Sequence, residues 1–144
     1  MLGDPRVGAT LGGVATPEQV DLQLTSVSEH WARRGFGWYA WFERESGALI
    51  ARGGPQCAHI AGRDEVEIGW TVLPERWNQG FATEMGAASL AIAFGPVGLA
   101  EVVSFTLPHN TASRRVMEKL GFAYERETDY KGWPHVLYRR FAGP

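Results

Sequence analysis

Only one cysteine, Cys57, stands in the 144-residue chain, which excludes an intrachain disulfide and points to a reducing compartment. Long hydrophobic runs are also lacking. The most apolar region, Ala87 to Val103, is interrupted by Ser89, Gly95, Pro96, Gly98 and Glu101, and does not read as a membrane span. The opening Met1-Leu2-Gly3-Asp4-Pro5-Arg6 has neither the basic segment nor the apolar run of a secretory signal. Nor is there a surplus of one charge: 14 Lys/Arg against 16 Asp/Glu leave a net of −2, with no global pull toward nucleic acid or an anionic membrane. The expectation is one cytoplasmic globular domain over residues 1–144. Charge is uneven along it, since residues 110 to 144 sum to +3 and residues 1 to 109 to −5. That split suits a phosphorylated ligand near the cationic end, or is ordinary solvated surface.

What is present is clear punctuation. Residues 1 to 15 read as loop or a frayed short helix. Thr16-Pro17-Glu18-Gln19 forms a capping box, and Val20, Leu24, Val27 and Trp31 trace one apolar stripe on a helix ending at Gly35. The period then changes to two over Trp38 to Glu43, a strand, with a hairpin turn at Glu45-Ser46-Gly47 into a second strand, Ala48 to Arg52. Residues 53 to 64 read as a loop. Strand three runs from Glu65 to Leu73, with Val66, Ile68, Trp70 and Val72 on one face and Glu65, Glu67, Gly69 and Thr71 on the other. An alanine-rich helix from Gly80 to Phe94 stops at Gly95-Pro96. A strand at Val102 to Leu107, a helix at Ser113 to Leu120 and a strand pair at Phe122 to Tyr130 and Val136 to Phe141 complete an α/β arrangement with a largely antiparallel front half.

Two constellations carry chemistry. In the first, strand three passes through Trp77-Asn78-Gln79-Gly80-Phe81-Ala82-Thr83 into a helix N-terminus. Unpaired N–H groups and the helix dipole there favour an anion, and Gly80 and Ala82 leave the backbone approachable. A tight strand-to-helix connection is the plainer alternative. Neither a P-loop nor a Rossmann fingerprint is present. In the second, Asn110 leaves a strand end and Ser113 stands at the start of the next helix, both able to face the space between the central strands. Asn110 could equally act as a helix cap.

Together, Thr71-Val72-Leu73-Pro74, Trp77-Asn78-Gln79-Gly80-Phe81-Ala82-Thr83-Glu84, and Asn110-x-x-Ser113 running into Glu118-Lys119-Leu120-Gly121-Phe122 resemble the GNAT superfamily of N-acetyltransferases, in its ribosomal-protein-acetyltransferase-like branch. His135-Val136-Leu137-Tyr138-Arg139 is similar to the closing strand of that branch. The resemblance implies an α+β fold whose mixed, mostly antiparallel sheet, flanked by helices, splays open between the strands ending at Leu73 and Leu107. Acetyl-CoA, the acetyl donor, would lie in the gap. Its pantetheine would pair with backbone of Thr71, Val72 and Leu73, its diphosphate would sit on N–H groups from Asn78 to Thr83, and Asn110 and Ser113 would approach the pantetheine amide and the thioester sulfur. Of Arg114, Arg115 and Lys119, any could reach the adenosine phosphates, with at least two left as solvated helix surface. No metal is implied.

Two departures from the family pattern stand out. Trp77 occupies a position where Gln or Arg is usual. The family's first strand is missing ahead of Asp4-Pro5, so it is absent from this chain or another segment, for example from a second copy in a homodimer, covers that edge.

For the chemistry, Glu67 is the candidate base and Ser113 the candidate proton donor or thiolate partner, because the tyrosine many family members carry seven residues after the asparagine is Met117 here. Tyr124 and Tyr130 are fallbacks, the Val72 N–H would polarise the thioester carbonyl, and His109 reads as a loop residue. Trp38, Trp41, Trp70 and Trp133 could wall the pocket of an amine acceptor, a small molecule or a peptide N-terminus. A non-catalytic acyl-CoA-binding or regulatory module is the alternative function.

Overall fold

The computed structural model describes residues 1–144. Helix α1 (Pro5–Leu11) is capped by Asp4, whose carboxylate accepts from the Arg6 N–H, and α2 (Pro17–Arg34) opens on the capping box read from Thr16 and Gln19. Strands β1 (Tyr39–Phe42), β2 (Leu49–Ile60) and β3 (Arg63–Val72) form an antiparallel meander. Helix α3 (Phe81–Phe94), β4 (Glu101–Thr106), α4 (Thr111–Lys119), β5 (Ala123–Tyr130) and β6 (Trp133–Phe141) follow. One six-stranded sheet results, in the order β1-β2-β3-β4-β6-β5, with β1 at an edge. Only the β3–β4 neighbours are parallel. The expected mixed, mostly antiparallel α+β sheet is therefore present.

Two elements differ from the sequence reading. Residues 53 to 60 are not loop: they continue β2, pairing in unbroken register with β3 from Ala51 opposite Val72 to Ile60 opposite Arg63. Gly53-Gly54-Pro55 looks like a breaker but is tolerated for a local reason. The Leu73 N–H donates to Ile50 O, so antiparallel alternation turns the backbone groups of residues 52, 54 and 56 toward β3 and those of Pro55 toward β1. Because β1 pairs no further than Gly53, the missing proline N–H costs no ladder bond. The stripe on α2 is only partly buried. Leu24 is 62% exposed and Val20 and Val27 are only half-buried, so the helix is anchored mainly at its C-terminal end, by buried His30 and by Trp31, the last residue of the stripe. His30 Nδ1 donates to Phe36 O and Nε2 accepts from the Cys57 N–H, while Trp31 Nε1 donates to Trp38 O.

The face of β3 carrying Val66, Ile68, Trp70 and Val72 packs on helices, as its alternation implies. Ile68, Val102, Val136 and Tyr138 meet Leu90 and Ala93 of α3, Met117 of α4 and Leu120, the C-cap of α4. On the other face, Ile60, Val103 and Leu137 form a smaller core bordered by Phe105 and Tyr130. At the starting end of the parallel pair, Arg139 of β6 ties four strands together. It donates to Glu65 of β3 at 2.8 and 2.9 Å, to Glu101 of β4 at 2.9 Å and to Glu125 of β5 at 2.8 and 3.2 Å. Glu65 and Arg139 are buried, and the guanidinium holds both Glu65 and Glu125 below the usual carboxylate range. With one end stapled, separation of β3 and β4 is confined to the other.

Candidate functional site

That separation begins at once. Glu67 opposite Val103 is the one paired position between β3 and β4, and next to it the Ser104 hydroxyl, not a backbone amide, donates to Ile68 O at 2.9 Å. Beyond this point the strands diverge around a cleft of about 750 Å3. By the alternation that assigns Leu73 N–H to Ile50, the backbone groups of Val72 face this gap. Its carbonyl accepts from Trp77 Nε1 at 2.8 Å, leaving the Val72 N–H toward the cleft. Leu73 offers nothing comparable: its N–H is engaged by Ile50 O, its carbonyl accepts from Arg76 N–H, and it does not line the cleft.

Past Leu73 a single 3-10 turn, Pro74–Arg76, leads to Trp77, then Asn78 and Gly80 both take left-handed backbone angles, φ +59° and +83°. Gly80 serves as N-cap of α3 but contributes no capping side chain. No backbone N–H from Asn78 through Thr83 finds an acceptor within the protein. The positive end of α3 and these N–H groups therefore face solvent at the cleft, an arrangement that binds anions. Gln79 turns its side chain away, donating to Glu75 O, so it contributes backbone only.

Across the gap, Asn110 is the N-cap of α4. Its Oδ1 accepts from the Ser113 N–H at 3.3 Å, and Nδ2 donates to Thr106 Oγ1 at 3.0 Å. The capping alternative is thus realised, with the side chain still lining the cleft. Ser113 lines it as well, and its hydroxyl makes no hydrogen bond to protein. Met117 is in the core, 1% exposed. Arg114 is spent on Tyr138 Oη and Pro108 O, leaving Arg115 and Lys119 along the cleft. Of the fallback tyrosines, Tyr130 lines the cleft and Tyr124 packs elsewhere, edge-on against Tyr138. His109 accepts no catalytic geometry: its Nε2 contacts Ala9 O in α1.

Glu67 stands where the strands part, partly exposed to the cleft, with no hydrogen-bonding partner for its carboxylate. Protein atoms crowd the carboxyl, and this desolvation pushes its pKa up to about 7, against the opposing pull of Lys131 and Arg52. Glu65, the other acidic side chain on its face, is withdrawn into the Arg139 cluster. Trp38, Trp70 and Trp133 also line the cleft, whereas Trp41 donates its indole N–H to Gly53 O and packs toward α3. The sequence reading missed Arg52 and Gln56. Both lie on β2 across from β3: Arg52 closes the strand read as Ala48 to Arg52, where no local signal pairs it with Thr71, and taking residues 53 to 64 as loop removed the stretch that carries Gln56 opposite Glu67.

Comparison with known proteins agrees with this geometry. The family described as Acetyltransferase (GNAT) domain matches residues 1–123. The Bacillus subtilis (strain 168) protein YkkB, uncharacterized, is 26% identical over 145 residues, covering 97% of this chain and 81% of its own. The uncharacterized N-acetyltransferase YoaA of the same organism is 36% identical over 59 residues, 41% of this chain, and that match spans only 33% of YoaA's length. Among solved structures, a putative GnaT-family acetyltransferase from Bordetella pertussis superposes with a TM-score of 0.79 at 26% identity, over 88% of this chain and 78% of its own. No helix is long and apolar enough to cross a membrane. The splayed sheet, the uncapped helix start and the family match over residues 1–123 lead to one conclusion: the chain belongs to the GNAT family of acetyltransferases.

Proposed function

We propose that the protein transfers the acetyl group of acetyl-CoA to a primary amine, in the cytoplasm, as a member of the ribosomal-protein-acetyltransferase-like branch. The observation that carries this reading is Glu67, an unpaired carboxyl with a pKa of about 7 at the mouth of the strand separation, in the same cleft as the free N–H groups of Asn78 to Thr83.

The coenzyme supplies a thioester-activated acetyl group. The free N–H groups fit its diphosphate, Arg115 and Lys119 its adenosine phosphates, and the Val72 N–H its acyl or pantetheine carbonyl. Glu67 takes a proton from the incoming ammonium, directly or through water, so that the neutral amine attacks. A carboxyl with a pKa near 7 exists partly ionised at neutral pH, so the base is available when it is needed. As the nitrogen–carbon bond forms and the carbon–sulfur bond breaks, Ser113 donates a hydrogen bond to the departing sulfur, and Tyr130 is the one phenol hydroxyl lining the cleft. Burial raises the Tyr130 pKa, which keeps it protonated.

Met117 favours a second reading. With the acid position of many relatives filled by a core methionine, the protein could hold an acyl-CoA without turning it over. Thiol release from acetyl-CoA with a panel of amines separates the two. Release that depends on amine and falls in Glu67→Gln supports the enzyme, and coenzyme binding without release supports the module.

A further inference from the structure

Opposite residues in a sheet share a face, so Gln56 with Glu67, Gly54 with Gly69 and Arg52 with Thr71 form three consecutive rows on the cleft side of β2 and β3. The middle row has no side chains. At Gly54 the missing side chain lets Gly37 and Trp38 cross close over the strand, since a Cβ there would lie 2.9 Å from Gly37 O. The Trp38 ring then extends over Gly69. The point where a Gly69 Cβ would stand is 3.8 Å from Glu67 Oε1 and 3.9 Å from Trp38 Nε1, so an acceptor and a donor converge on one small space.

Around that space the polar groups are left without partners. Trp38 Nε1, Arg52 Nε and Gln56 Oε1 are buried and unpaired, an unusual concentration given that each such group costs about 1–3 kcal/mol. Arg52 is nonetheless fixed: its Nη1 donates to Gln23 Oε1 at 2.8 Å, and its guanidinium lies 4.5 Å from the centre of the Trp38 ring. Arg52 and Glu67 feel each other's charge but form no ion pair. Lys131 acts on the same carboxylate, so two cations face one anion.

We infer that this space is the acceptor subsite for an amine that also carries a carboxylate, a free amino acid in place of a peptide N-terminus, with its amine toward Glu67 and its carboxylate toward Arg52. The assignment rests on the acetyltransferase reading above. A peptide N-terminus brings a cation and a neutral carbonyl, and would leave the half-buried Arg52 guanidinium with no carboxylate in contact. An amino acid satisfies both charges and offers partners to the stranded donors.

The test uses the full chain with acetyl-CoA and three matched sets of amines: the proteinogenic L-amino acids, their carboxamides and their decarboxylated amines. A peptide with a free N-terminus is assayed alongside. At least one amino acid should show a KM about tenfold or more below its carboxamide and its amine. Arg52→Gln should abolish that preference by raising KM for the acid with kcat little changed, and Arg52→Lys should restore part of it. Gly69→Ala places a methyl in the space at ordinary contact distances, keeps the fold if Arg52→Gln does not, and should raise the acceptor KM without altering the KM for acetyl-CoA. Equal or better turnover of the carboxamides, amines or peptide overturns the subsite while leaving the acetyltransferase reading in place. Absence of amine-dependent thiol release with every amine tested removes the acetyltransferase reading and the subsite with it.

Discussion

Trp77 Nε1 donates to Val72 O across 2.8 Å, and this bond joins the last residue of β3 to the turn that opens α3. It occupies a strand carbonyl that faces the gap and would otherwise lack a partner. It also fixes the free N–H groups of Asn78 to Thr83 relative to the Val72 N–H. The tryptophan that departs from the family's usual Gln or Arg is thereby explained: its indole N–H braces the turn against the strand.

Trp77→Phe keeps the ring and removes the donor. Stability should fall by about 1–2 kcal/mol, the cost of leaving a carbonyl underserved. Affinity for acetyl-CoA should fall about tenfold. Urea unfolding and coenzyme titration check both, and an unchanged affinity would mean the brace does not position the turn.

At Gly80 stability and binding should move in opposite directions. Asp tolerates the left-handed angle and can cap α3, so Gly80→Asp should leave the apo melting temperature unchanged or raise it slightly. The same carboxylate would repel a diphosphate, so the thermal shift produced by excess acetyl-CoA should be lost.

Much of this turn was legible in the sequence, because glycine, small residues and a strand-to-helix change are local signals. Asn110 and Ser113 were legible for the same reason, although only the structure shows Asn110 bonded to both Thr106 and the Ser113 N–H. The floor around Glu67 was not. Gly53-Gly54-Pro55 is read locally as a break, and what makes it strand is ten-residue pairing with β3 and the accident that β1 has already ended where Pro55 lacks its N–H. Arg139 was legible only as part of a family motif, since its three carboxylate partners come from three other strands.

Removing that staple should be costly. Arg139→Leu leaves buried Glu65 with only the more distant Arg63, 3.7 Å away, and should destabilise the fold by about 3–5 kcal/mol. Glu65 has a depressed pKa in the folded state, so its stabilising contribution is present above the unfolded pKa of 4.5 and fades as pH falls below it. The difference between wild type and variant should therefore shrink in acid. A difference independent of pH would indicate lost packing alone.

Glu67 has the opposite sign. Its folded pKa lies above the unfolded value of 4.5, at about 7, so the folded state binds more protons between these limits and stability declines as pH rises through them. Glu67→Gln removes this penalty. The variant's melting temperature, relative to wild type, should be higher at pH 8 than at pH 5, and a constant offset would show that Glu67 is not desolvated.

The most direct measurement is the pH dependence of kcat/KM for amine-dependent thiol release, compared between wild type and Glu67→Gln. The wild-type rate should climb through pH 7 as Glu67 ionises, and the variant should bind acetyl-CoA normally, run about 100-fold or more slower and lose that rise. A variant with the wild-type rate and profile would contradict Glu67 as the base.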